Sequence, residues 1–324
     1  AASDVYKRQT QTEMGSRGPW WQDGSATRPV GGFGFQIQGG TDSANVTSLV
    51  QSWVDGAPNY GFTVQPGLGD TVDEEVGTAD GWAIRTTGYP VADTRPKLTV
   101  TYTTAPVTIG TFQNGLNGYS GTTMAVVRSG ANALIEDTTD LTNPERTEDG
   151  AMLNQTFLDG VFFSGIDGAA SSPDDLALLK FDGVFGTGAG QVPMDKPVVK
   201  AWVVLTTGDT SKDARTSGPF AAHAMKRPWD VTSLHSSFGE VNGLQVGEGD
   251  IGPILDSPDG YIRGAEVWFD VTAYLEAVRG GATDYGIAIQ ANGTADGWQI
   301  HATGSTTPDA RPRLVVYSAD LGIE

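Results

Sequence analysis

One segment of this chain is written twice. Residues 78–100 read TADGWAIRTTGYPVADTRPKLTV and residues 294–316 read TADGWQIHATGSTTPDARPRLVV, aligned without a gap at a spacing of 294 − 78 = 216. Thr78, Ala79, Asp80, Gly81, Trp82, Ile84, Thr87, Gly88, Asp93, Arg95, Pro96, Leu98 and Val100 all recur. Upstream, residues 46–65 (VTSLVQSWVDGAPNYGFTVQ) match residues 271–290 (VTAYLEAVRGGATDYGIAIQ) at 271 − 46 = 225. The first copy is therefore longer by 225 − 216 = 9 residues, in the acidic loop 66–77. So long a period excludes a short-repeat solenoid and fits two domains in tandem. The expected division has residues 1–104 as the C-terminal half of a first unit, cut inside that unit. Residues 105–319 form a complete second unit, and residues 320–324 begin a linker. Residues 1–9, AASDVYKRQ, look more like translated adapter sequence than protein.

The hydrophobic period says what each unit is made of. Val46, Leu49, Val50, Trp53 and Val54 fall on one helical stripe, and Val271, Tyr274, Leu275 and Val278 repeat it. That predicts a helix of about two turns in each copy. Thr47 and Thr272 are the expected N-caps, Gly56 and Gly280 the expected stops. The period then changes to two. Tyr60, Phe62 and Val64 alternate with small and polar residues, as do Tyr285, Ile287 and Ile289. Trp82 and Ile84 share a face opposite Arg85; Trp298 and Ile300 share one opposite His301. Pro96, Leu98, Val100 and Tyr102 oppose Arg95, Lys97, Thr99 and Thr101. This is the pattern of half-buried antiparallel strands. Further strands are expected over residues 33–38, 176–181, 198–207, 221–229 and 265–271. Many short strands separated by Gly- and Pro-rich turns predict an all-β chain, an antiparallel β-sandwich of jelly-roll type with one short helix per unit.

Charge and composition then narrow the function. The chain has 324 residues, no Cys and a formal net charge of −19. The acidity argues against nucleic acid, whose phosphates need Lys and Arg, and against an anionic membrane surface. Without Cys there is neither a disulfide scaffold nor thiol chemistry. No apolar run reaches membrane-spanning length.

An ordered set of segments carries a family resemblance. FQNGLNGYSGT, LLKFD, PWDVTSLHSSFG, WFDVTAYLEAV, DYGIAIQ, DGWQI and RPRLVVY follow one another between about residues 109 and 319. Together they resemble the DNRLRE-type domain, related to carbohydrate-binding modules of the alginate-binding kind. The second half of the same signature covers residues 20–102. The resemblance implies a non-catalytic jelly-roll module attached to a secreted bacterial enzyme or surface protein. HATGSTTPDARP stands where the family has an acidic signature after its DGW strand, so no role of a carboxylate there carries over.

Few residues invite chemistry. His223, His235 and His301 are the only histidines, and none has a second ligand at zinc spacing. His301 is expected on the outward face, as a plain surface residue. GTGAG at 186–190 is too short for a dinucleotide fingerprint and reads as a loop. Asp137, Asp140, Glu145, Glu148 and Asp149 crowd one loop; a solvated acidic loop is the simpler reading, and structural calcium on Asp137, Asp140 and Asp149 the alternative. Asp182 and Asp270 suit turn or helix-cap roles.

Sugar sites use flat aromatic faces and flanking polar groups. Trp82 and Trp298 share a strand face with isoleucines and are expected in the core. Trp268 alternates with Val267 and Phe269, and Trp202 shares its face with Lys200, Val204 and Thr206. Both are candidates for an outward platform, helped by Arg263, with a tandem repeat supplying several weak sites along a polymer. The expected function is a non-catalytic accessory module of an extracellular protein that binds polysaccharide, beside a catalytic or surface domain encoded elsewhere in the gene. The alternative is a structural spacer or adhesion domain without a sugar site. An enzyme is the weakest reading, because no nucleophile, metal set or acid/base pair recurs in both copies.

Overall fold

The structure is a computed structural model. It describes residues 40–41, 43–44, 46–54, 56–59, 61, 83–100, 102, 107–128, 161–164, 175–208, 218–231, 233, 235–238, 249–258, 261, 264–292 and 298–319. Eleven strands and two helices lie among them. Helix α1 spans Thr47–Val54. Strands β1 (Val107–Gln113), β2 (Thr122–Arg128), β3 (Val161–Ser164), β4 (Asp175–Phe181), β5 (Val198–Thr206), β6 (Phe220–Met225), β7 (Ile251–Asp256) and β8 (Glu266–Asp270) follow. After them come helix α2 (Thr272–Arg279) and strands β9 (Ile287–Ala291), β10 (Trp298–His301) and β11 (Arg313–Ala319).

The strands form an antiparallel β-sandwich. One sheet has the order β1-β11-β5-β8, the other β2-β4-β9-β6-β7, and β10 pairs with β3 in a two-stranded ladder. Strand alternation sets which side chains meet in the middle. Across the first sheet Phe112, Leu314, Val203 and Phe269 stand in one inward row. From the second sheet Met124, Leu179, Ile287, Ile289 and Ala222 meet them in a single buried cluster. Trp298 is fully buried between the sheets, with ring centroids of Tyr261, Phe220 and Phe269 at 4.8, 5.2 and 6.0 Å. Its indole N–H donates to Thr207 Oγ1 at 3.1 Å, so the one polar atom of the ring is satisfied.

Several local expectations change in detail. Thr272 is the first residue of α2, not its cap. The Asp270 carboxylate caps the helix instead, accepting the Thr272 N–H at 2.9 Å and its hydroxyl. The helix ends at Arg279 with Gly280 as its C-cap, as expected, and Gly281 (φ +102°) is the left-handed residue that follows. Gly281 N–H donates to Val278 O and Ala282 N–H to Ala277 O, which is a Schellman closure. Strand β6 ends at Met225, short of Trp229. The chain leaves the sheet there, and Trp229 packs with Phe238 against the outer side of the second sheet, over Leu178, Met225 and Ala288. Its indole donates to Tyr285 O at 2.6 Å.

His301 is also not on the surface. All four residues of β10 are buried, Gln299 and His301 as well as Trp298 and Ile300. Alternation within one strand says which residues are opposite, but not whether the opposite side is covered. In the first copy, residues 83–86 and 96–100 lie in no strand and are exposed, against the expectation from their alternation. The expected strands over residues 33–38 and 62–65 lie outside the described residues.

Candidate functional site

The first sheet has a second face, turned away from the core. Its register puts Arg313, Val204 and Trp268 in one row and Val315, Trp202 and Asp270 in the next. Tyr317 and Lys200 form a third. Parity therefore places Trp202 and Trp268 opposite the core-facing Val203, Val267 and Phe269. The structure also brings the two indoles together. Their centroids are 5.6 Å apart at an interplanar angle of 76°, and Tyr317 meets Trp202 edge to face at 5.5 Å and 86°. Edge-to-face contact suits the negative ring face and positive ring edge of aromatic systems.

Charged groups close around the rings. The Arg313 guanidinium lies 5.5 Å from the Trp268 centroid and donates through Nη2 to Glu266 Oε2 at 2.7 Å. The Trp268 indole N–H donates to the same carboxylate oxygen at 3.2 Å. On the other side Lys200 Nζ sits 5.3 Å from the Trp202 centroid and pairs with Asp270. Burial works to raise the Asp270 pKa, but bonds from Lys200 and Thr272 outweigh it and hold the carboxyl below its ordinary value.

The two tryptophans differ in what they offer. Trp268 is only 6% exposed, being enclosed by Arg313, Trp202 and Glu266. Trp202 and Tyr317 are half-buried, and Ile109 beside Tyr317 is exposed. Trp202 and Tyr317 are the half-exposed rings of this face, and Trp268 packs edge to face beside Trp202 from the neighbouring strand. Tyr317 was not singled out by sequence, because the first copy has Thr101 at that place (317 − 216 = 101). Its parity with Arg313 and Val315 was the available signal.

Arg311 does not join the patch: its Nε donates to Ser305 O at 2.9 Å and its Nη1 to Asn114 O at 3.0 Å. Arg263 lies outside the described residues, as do Asp137, Asp140 and Asp149. Among the described residues no three His, Asp or Glu side chains gather closely enough to hold a metal, and no helix is long and apolar enough to cross a membrane. His301 Nδ1 is 3.0 Å from Ser305 Oγ, a contact within the turn rather than a site. The repeat does not duplicate the patch. At the same spacings Ser43 stands for Trp268 (268 − 225 = 43) and Thr101 for Tyr317.

No family model matches the chain, and no curated protein matches it by sequence.

Proposed function

We propose that the chain is a non-catalytic, DNRLRE-type accessory module of an extracellular bacterial protein, and that it binds polysaccharide on the outer face of the first sheet. The observation that carries this reading is the joined pair Trp202 and Tyr317, half-buried on a sheet face that is not the core. The two rings stand at 86° to each other, so a pyranose ring laid on one of them meets the other at its edge, and the contact removes apolar area from water at about 25 cal/mol per Å². Hydroxyl bonds to Lys200 or Asp270 largely exchange with water and fix orientation more than affinity. Binding through one patch is weak, and the module serves by holding an attached domain near a polymer.

The test is affinity electrophoresis of the whole chain on a polysaccharide panel. Retardation on at least one polymer, lost in Trp202→Ala and in Tyr317→Ala, is the expected result. The enclosed state of Trp268 favours a second reading, a structural spacer whose aromatic cluster only stiffens the sheet. On that reading the same substitutions lower stability, and no polymer retards the wild-type chain.

A further inference from the structure

We infer that the polymer bound by this patch is an uncharged polysaccharide and not a polyuronate or sulfated chain. The inference rests on the proposed reading of the patch and adds the chemical class of its ligand.

The charges that the described residues place on this face are already matched. Lys200 is paired with Asp270, and Arg313 with Glu266. Both members of the second pair are about 15% exposed at the side chain. Among the described residues, two cations stand against two carboxylates and balance. Arg311, the next basic side chain along the chain, is committed to two backbone carbonyls. A uronate carboxylate arriving at Trp202 would have to share Lys200 with Asp270, placing two negative charges beside one cation. That pair is 39% and 35% exposed at the side chain, so the local repulsion is modest and screened by solvent. The wider field works in the same direction. The chain carries a net charge of −19, which repels a polymer with a negative charge on each sugar.

A neutral sugar meets none of these penalties. Its hydroxyls can donate to the free lone pairs of Asp270 and Glu266 while both ion pairs stay closed. Its C–H face can lie on one of the rings Trp202 and Tyr317, with the other at its edge. Such binding has little to do with counterions, so added salt leaves it nearly unchanged, whereas binding of a polyanion is salt-sensitive.

Affinity electrophoresis of the whole chain separates these cases, using laminarin, xylan and glucomannan against alginate and pectate, with and without calcium. The runs are repeated at about 20 mM and about 500 mM salt, where screening differs several-fold. The expected result is retardation by at least one neutral polymer, unchanged by salt, with any affinity for the polyuronates weaker by at least about tenfold. Alginate or pectate binding as strong as that of the best neutral polymer, in either calcium condition, would overturn the inference while leaving polysaccharide binding in place. No retardation by any of the five would remove the proposed function itself, and this inference with it.

Discussion

Helices α1 and α2 begin and end 225 residues apart, and the turns that follow them match bond for bond. Gly56 N–H donates to Trp53 O and Ala57 N–H to Ser52 O; Gly281 and Ala282 repeat both at Val278 and Ala277. Gly56 and Gly281 have φ of +104° and +102°. Next, Asn59 Oδ1 accepts the N–H of Gly61, and Asp284 Oδ1 that of Gly286, at 2.9 and 2.8 Å. Downstream, single 3₁₀ turns at Ala92–Thr94 and Pro308–Ala310 lie 216 residues apart. In each, an arginine Nε reaches back six residues to a carbonyl: Arg95 to Tyr89 O at 2.7 Å, Arg311 to Ser305 O at 2.9 Å.

Then the copies part. Leu98 and Val100 are 52% and 50% exposed, whereas Leu314 and Val316 are 2% and 0% exposed. The second pair stands in β11, hydrogen-bonded to β1 on one side and β5 on the other. Residues 96–100 have the same alternation and no strand beside them among the described residues. A turn or cap is completed by atoms within about six residues of each other, so its sequence suffices. A strand is completed by other strands, and its alternation only makes it ready for them. The candidate site belongs to the second kind of structure. Trp202, Trp268 and Tyr317 meet because three strands are in register, and among the described residues the first copy has no such sheet.

Substitutions at matched positions can break this comparison. The largest contrast is expected between Ile300→Ala and Ile84→Ala. Ile300 is fully buried in the sandwich and Ile84 is exposed. The first should cost about 2–5 kcal/mol by urea unfolding, the second no more than about 0.5 kcal/mol. Equal losses would mean the two copies are packed alike.

Gly286→Ala and Gly61→Ala come next. Both positions have positive φ, so each substitution carries strain of about 1–2 kcal/mol. At Gly286 a Cβ would also meet Leu179 O at 2.2 Å, while at Gly61 nothing lies within 4 Å. The Gly286 variant should therefore be the less stable by a further 1–3 kcal/mol or so.

Arg311→Ala should cost about 1.5–3 kcal/mol, because it removes charged hydrogen bonds that tie the turn to Asn114 O as well as to Ser305 O. Among the described residues the Arg95 side chain bonds to Tyr89 O alone, in an exposed contact, and its loss should leave the unfolding midpoint nearly unchanged.

The smallest effect is on pH dependence and belongs to the second unit. Burial lowers the pKa of His223, whose Nδ1–H is 2.8 Å from Gly252 O. The unfolded chain then binds more protons, so stability falls as pH drops below about 6.5. Asp270 is also held below its ordinary value, so a second loss begins below about pH 4. His223→Gln should flatten the first decline and leave the second; an unchanged profile would assign the protons elsewhere.

The sandwich was legible where one residue period was enough. The stripe through Val271, Tyr274, Leu275 and Val278 located α2, and alternation located β9 and β11. Trp298 went to the core because Ile300 shares its face. What alternation could not tell was the state of the opposite face. It made His301 a surface residue, although the side of β10 that carries it is covered too. It marked Trp202 and Trp268 as turned from the core but could not tell that Arg313 and Glu266 enclose the second. Tyr317 was hidden for another reason: the repeat drew attention to what is shared, and a site specific to one copy lies in what is not.

Hydrogen–deuterium exchange on the whole chain tests the central claim most directly, by comparing the amides of Leu98 and Val100 with those of Leu314 and Val316. The account predicts that the second pair exchanges only through global unfolding of the sandwich and that the first pair exchanges at nearly the rate of an open chain. Comparable protection at both places would show that Leu98 and Val100 have strand partners of their own, and would contradict the view that these matched segments part at the level of the sheet.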